Sequence, residues 1–121
     1  MKTNEPPEVG QFLPLSPAAL HILLALAGED LHGYGIMQEI ARQSAGSYKM
    51  GPGTLYDNLK KLLRLGLVEE AAGRSVRDDT RRRYYRLKAM GRGVLSAEVE
   101  RLEGVLREAR THLRLLKPGR T

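Results

Sequence analysis

The sequence predicts a mainly α-helical chain with a small two-stranded β hairpin and a long closing helix. Three observations carry that prediction. Gly53-Thr54-Leu55-Tyr56 opens an amphipathic run that ends at Leu65, just before Gly66. Leu67-Val68-Glu69 and the segment Arg83 to Leu87 are short strand-like runs, separated by a polar, glycine-containing stretch from Ala72 to Thr80. Beyond Gly91, apolar residues recur at alternating spacings of four and three, the seam of a packed helix. A helix stopped by glycine that feeds a strand, a basic loop and a second strand is the layout of a winged helix-turn-helix.

The elements follow in order. Residues 1–14, with Pro6, Pro7, Gly10 and Pro14, read as a flexible arm. The winged domain is expected over residues 15–90. Leu15-Ser16-Pro17 starts its first helix: Ser16 caps, Pro17 suits the first helical position, and Leu15 packs on Leu20. Ala18 to Ala27 is apolar almost all round, so this helix needs a partner subunit as well as its own core to cover it. Gly28 ends it. A second helix runs from about Tyr34 to Gln43, and Ser44 to Gly51 is the turn.

The third helix, Pro52 to Leu65, turns Leu55, Leu59, Leu62 and Leu63 inward and carries Asn58, Lys60, Lys61 and Arg64 on its other side. Gly66 terminates it. In the second strand Tyr85 and Leu87 share a face. Two short strands are not stable alone and must lie on the helices. The last helix spans residues 91–117, roughly 40 Å, with Leu95, Val99, Leu102, Leu106, Ala109, Leu113 and Leu116 along its stripe. A chain this small has little left to cover such a stripe. We therefore expect a homodimer formed through these residues together with Leu20 and Leu24 of the first helix.

Composition narrows the function. Net charge is +6 over 121 residues, and its distribution is uneven. Residues 1–47 hold only Lys2 and Arg42 as basic groups, against five carboxylates. Between Arg74 and Arg92 lie eight basic residues, opposed only by Asp78 and Asp79. A positive field confined to one region suits a polyanionic partner. The absence of cysteine removes disulfides, thiolate metal sites and cysteine nucleophiles, and is compatible with a reducing cytoplasm. No apolar run is long enough to span a membrane, and the start lacks a secretion pattern. His21, His32 and His112 fall on different elements, and no paired carboxylate or metal spacing is evident. Neither an enzyme nor a cofactor is expected.

Double-stranded DNA admits a helix in its major groove and is read there by projecting donors and acceptors. On the third helix those groups are Thr54, Tyr56, Asn58, Lys60 and Lys61, with Lys49 just ahead of it. Thr54 and Tyr56 are placed to hold backbone, Asn58 to pair with an adenine edge. Lys60 and Lys61 suit a guanine edge or a phosphate, and sequence does not separate the two. Arg74, Arg77, Arg81 and Arg82 in the basic loop are spaced for phosphates flanking a minor groove.

The chain resembles the PadR family of transcriptional regulators. The matching pieces are Leu23-Leu24-Ala25-Leu26, His32-Gly33-Tyr34-Gly35-Ile36, Gly53-Thr54-Leu55-Tyr56, Leu59-Lys60-Lys61-Leu62, Gly66-Leu67-Val68, and Arg82-Arg83-Tyr84-Tyr85-Arg86-Leu87 followed by Gly91. The resemblance covers about residues 15–95. It implies a homodimeric winged helix-turn-helix repressor on an inverted-repeat operator, of the short-chain subgroup that dimerises through its last and first helices. It also implies that His32, Gly33 and Tyr34 form the tight start of the second helix, with His32 structural. Some family members respond to planar apolar or phenolic compounds between subunits. Here Phe12, Leu15, Tyr34, Val99 and Leu102 are the candidate lining for a small aromatic or apolar effector. Two positions depart from the family pattern: Gly51 stands where a serine is common before the Pro-Gly-Thr segment, and Lys88 where threonine usually follows Tyr-Tyr-x-Leu. The competing reading is a winged-helix module that binds another regulator instead of DNA; repression and activation both remain open to this fold.

Overall fold

The computed structural model describes residues 7–71 and 83–115. Its elements are α1 (Pro7–Gly10), α2 (Pro17–Gly28), β1 (Leu31–His32), α3 (Gly33–Gln43), α4 (Pro52–Arg64), β2 (Val68–Ala71), β3 (Tyr84–Leu87) and α5 (Ala89–Leu115). The predicted class holds: helices with a small sheet and a long last helix.

Residues 7–13 differ from the loose arm expected of them. Val9 on α1 is buried in the core, and Phe12 and Leu13 are packed half-buried against it. α2 begins as its sequence dictates, with Ser16 Oγ accepting the Ala19 N–H at 3.1 Å and Pro17 in the first turn. Ile22, Leu23, Ala25 and Leu26 enter the core, while Leu24 stays 41% exposed, so one stripe of this apolar helix lacks a cover.

The sheet has a third strand that was not expected. Leu31 pairs with Tyr85 and His32 with Tyr84, giving the antiparallel order β1-β3-β2. A two-residue strand has no alternation to betray it in sequence. β2 pairs Val68 with Leu87 and Ala71 with Tyr84. Tyr85 and Leu87 face the core, and Tyr84, on the opposite side, meets the His32 ring edge-on at 5.2 Å. His32 also caps α3, its Nδ1 accepting the Gly35 N–H at 3.1 Å.

Both helices of the helix-turn-helix end in the same local arrangement. After α3, the Gly46 N–H donates to the Ala41 carbonyl and the Ala45 N–H to that of Arg42; after α4, Leu67 donates to Leu62 and Gly66 to Leu63. This double bond pattern needs a left-handed residue. Gly66 supplies it at φ 79°, whereas after α3 it falls on Ala45 at φ 53°, with Gly46 following at 80°. The turn is fixed by Ser44 Oγ, which accepts the Tyr48 N–H at 3.1 Å and donates to the Ile40 carbonyl at 2.9 Å. The Tyr48 ring stacks on His21 of α2 at 4.7 Å, and Met50 is buried.

α5 starts two residues earlier than the sequence suggested. The Lys88 N–H donates to the Leu67 carbonyl at 3.0 Å, and the Lys88 carbonyl accepts from Arg92 at 2.9 Å. Backbone groups thus open the helix where no capping side chain stands. Gly91, Val94, Leu95 and Glu98 are buried on the domain, and from Val99 the helix leaves it. Among the described residues no helix is long and apolar enough to cross a membrane.

Candidate nucleic-acid interface

α4 is held by Leu55, Leu59 and Leu62, all buried, which forces the alternate positions outward. Gly51 contributes no side-chain cap, as the departure from the family pattern implied, so the first turn relies on Pro52 and the Leu55 N–H bond to the Gly51 carbonyl. Thr54, Lys60, Lys61 and Arg64 are exposed on this helix, and Lys49 is exposed in the turn before it. Asn58 is half-buried, and its Nδ2 donates to the Thr54 carbonyl at 2.8 Å, which aims the amide donor along its own helix. Its second Nδ2–H and its Oδ1 stay available for an adenine edge.

Tyr56 is half-exposed, and its ring lies against Gly33, where a methyl group would overlap the phenol hydroxyl. With Leu59, Lys60, Leu63, Glu70, Arg83 and Tyr85 it lines a cleft of 200 Å³ between α4 and the base of the β2–β3 hairpin. Burial pushes the Tyr85 phenol upward; Tyr56 and Glu70 add to this and Arg83 opposes it. Arg83 Nη1 meets Glu70 Oε2 at 3.2 Å. Arg86, by contrast, is occupied within the sheet: it reaches Asp30 at 3.3 Å and Glu69 at 3.4 Å, and the bond to Asp30 is the main cause of its raised pKa. Among the described residues, no ion pair engages Asp57, Lys60 or Lys61. Arg74, Arg77, Arg81 and Arg82 lie outside the described residues, as does the loop from Ala72 to Thr80.

Two residues were given no part in the interface from sequence. Asp57 is exposed on the outward side of α4, two positions from each of the buried Leu55 and Leu59; the helical spacing alone would have shown it. Arg83 was placed on a strand without a role, and only the hairpin register brings it to α4 and Glu70.

The residues expected at a subunit contact divide. Leu95 is buried within the chain, because α5 still crosses the core there, and Leu20 is half-buried against that core. Leu24, Val99, Leu106, Ala109 and Leu113 are exposed, Leu102 is half-buried, and Leu116 lies outside the described residues. Of the five expected around an effector, Phe12 and Leu15 pack on the core, and the Leu15 N–H reaches Glu98, next to Val99 on α5. Tyr34 is exposed and belongs to the α3–α4 side, beside the Gly33 that supports Tyr56. Among the described residues there is no group of three His, Cys, Asp or Glu side chains fit to hold a metal ion.

Residues 22–97 match the transcriptional regulator PadR-like family. The chain belongs to that family. The match runs from α2 through the whole sheet into the buried part of α5. The PadR-like chain is 37% identical over 89 residues to the transcriptional regulator Rv3488 of Mycobacterium tuberculosis, covering 74% of this chain and 78% of that one. It superposes on a transcriptional regulator from Clostridium thermocellum with a TM-score of 0.66 and 26% identity, over 78% of this chain and 87% of that one. The fold is also that of Bacillus subtilis PadR in complex with operator DNA, at a TM-score of 0.60 and 21% identity over 71% of this chain and 48% of that one.

Proposed function

We propose that this protein is a homodimeric, sequence-specific DNA-binding repressor that places α4 of each protomer in successive major grooves of an inverted repeat. The observation that carries the reading is the outward side of α4. It presents Thr54, Asp57, Lys60, Lys61 and Arg64 on a helix locked from behind by three buried leucines, and among the described residues no ion pair engages the carboxylate or the lysines. Rigid donors and acceptors on a groove-sized helix are what direct readout requires. Asp57 suits the exocyclic amine of cytosine, Lys60 and Lys61 a guanine edge or a phosphate. Arg74, Arg77, Arg81 and Arg82 act on the flanking backbone in this reading, adding affinity and salt dependence without choosing sequence. The outer part of α5 joins the two copies through Leu102, Leu106, Ala109 and Leu113, with Leu24 of α2. A small apolar or aromatic effector taken up beside Phe12, Leu15, Val99 and Leu102 would release the dimer from its operator, which is the regulatory part of the proposal.

The test is titration of the protein against duplexes from the region upstream of its own gene, with a scrambled duplex as control, at several salt concentrations. Selective binding of two protomers per site supports the reading. Equal, weak binding to every duplex that vanishes with modest salt overturns its sequence-specific part, and tight capture of another regulator by a protein that ignores DNA overturns it altogether.

A further inference from the structure

We propose that the cleft between α4 and the hairpin base is a backbone-phosphate site whose basic arm, Arg83, is held in the free protein by an internal carboxylate, Glu70. This deepens the DNA-binding reading above and rests on it. Three residues whose side chains can bind a phosphate oxygen line the same 200 Å³ cleft: Tyr56, Lys60 one helical turn later, and Arg83 just ahead of β3. Their supports are rigid. Leu59, behind Tyr56 and Lys60, is buried, and so is Tyr85, two residues from Arg83 on the floor of the cleft. Gly33 leaves room for the phenol to lie across the start of α3.

Glu70 gives the site its character. Its Oε2 is 3.2 Å from Arg83 Nη1, both side chains are about half or more exposed, and both residues line the cleft. A pair so exposed contributes little to folding. It does, however, put an anion where a phosphate would sit. Arg83 presents several donors in a planar fork and serves either a carboxylate or a phosphate. DNA binding therefore exchanges one anionic partner of Arg83 for another, and Glu70 lowers affinity for every duplex alike. The surrounding positions do not work in this way: Arg86 is clamped between Asp30 and Glu69 across the sheet, and Lys61 lies outside the cleft.

The experiment is a double-mutant cycle on the full chain, read by binding to the upstream duplex and to its scrambled counterpart over a range of salt. Glu70→Gln is expected to tighten both complexes by a similar factor, roughly threefold to tenfold, leaving their ratio unchanged. Arg83→Ala is expected to weaken both and to lower the salt slope by about one unit per protomer. In the Arg83→Ala background, Glu70→Gln should have almost no further effect. Arg83→Lys, which keeps the charge, should retain most of the slope, and thermal melting confirms that each variant folds. A gain from Glu70→Gln that persists without Arg83 overturns the proposal, since the carboxylate would then act only by general repulsion. An Arg83→Ala variant with wild-type affinity and slope overturns it too. If the wild-type protein binds neither duplex at low salt, the DNA-binding reading itself fails, and the cleft with it.

Discussion

Glu98 Oε2 accepts the backbone N–H of Leu15 at 3.1 Å, joining the middle of α5 to a residue 83 positions earlier in the chain. Leu15 immediately precedes the Ser16 cap of α2, so this one bond ties the start of the first long helix to the last. The carboxylate is 1% exposed and its remaining capacity is filled by Arg101, which donates from Nε at 2.7 Å and from Nη2 at 2.9 Å. A buried charge is tolerable only when it is fully bonded in this way. Truncation leaves the Leu15 N–H without an acceptor, and Glu98→Ala is expected to cost about 1–3 kcal/mol. Urea denaturation measures it; a variant with the wild-type midpoint would show that the bond is idle.

The same carboxylate makes stability depend on pH. Arg101 above all, and the Leu15 N–H with it, hold Glu98 below the ordinary carboxylate range against the opposing effect of burial. With the folded value depressed, the contribution is fully present above the unfolded value of about 4.3 and is lost as pH falls through the lower folded one. Glu98→Gln should therefore be less stable than wild type near neutrality, and the two urea midpoints should converge on acidification. Parallel curves down to the acid transition would refute the linkage.

Ala45 carries the left-handed turn after α3 at φ 53°, where Gly66 does the same work after α4. A side chain there costs about 1–2 kcal/mol, partly offset by the greater unfolded freedom of glycine, about 0.5–1 kcal/mol. Ala45→Gly is expected to stabilise the protein by roughly 0.5–1 kcal/mol, seen as a melting temperature several degrees higher. A lower melting temperature would mean that the strain is relieved elsewhere.

The readable parts of the fold were those with a local cause. Gly66 after the Leu59–Leu62–Leu63 repeat announced the end of α4, because only glycine enters that turn without strain. Ser16-Pro17 announced α2 in the same way. What stayed hidden depended on distant partners. Val9 has no periodic companions in sequence, and its burial is set by α5 packing over it. Leu95 and Leu106 belong to one apolar seam, yet one is buried within the chain and the other is exposed, since periodicity does not say which surface covers a helix. At the candidate interface Lys60 and Lys61 were legible from helical spacing. The Arg83–Glu70 pair was not, because it exists only through the register of the hairpin.

Two glycines separate folding from function. A Cβ at Gly91 would strike the Leu67 carbonyl, a backbone atom already bonded to the Lys88 N–H, and the Leu87 side chain. Neither can move without disturbing the junction of α4, β2 and α5, so Gly91→Ala is expected to cost about 2–3 kcal/mol. At Gly33 the obstacle is the outer end of the half-exposed Tyr56 side chain, which can swing aside. Gly33→Ala should melt within a few degrees of wild type but weaken binding to duplex DNA, whereas in a Tyr56→Ala background it should cause no further loss of binding. Loss of DNA binding by Gly33→Ala in that background would assign the effect to α3 rather than to the phenol.

The outer half of α5 carries the subunit contact in the proposed dimer. Leu106 is 48% exposed and Leu113 is 63% exposed, so neither supports the protomer's own core. A charge at these positions should leave the fold intact while opposing burial against a second copy. Leu106→Glu combined with Leu113→Glu is expected to sediment as a monomer at concentrations where wild type is a dimer, with nearly unchanged helical circular dichroism. DNA affinity should fall with it, because two linked recognition helices gain from effective concentration what one alone lacks. Leu95→Glu is the contrasting variant: Leu95 is buried within the protomer, and the change should unfold the domain instead of splitting a dimer. A double variant that remains dimeric would move the contact off this face of α5 and onto α2, where Leu24 is the exposed residue to test next.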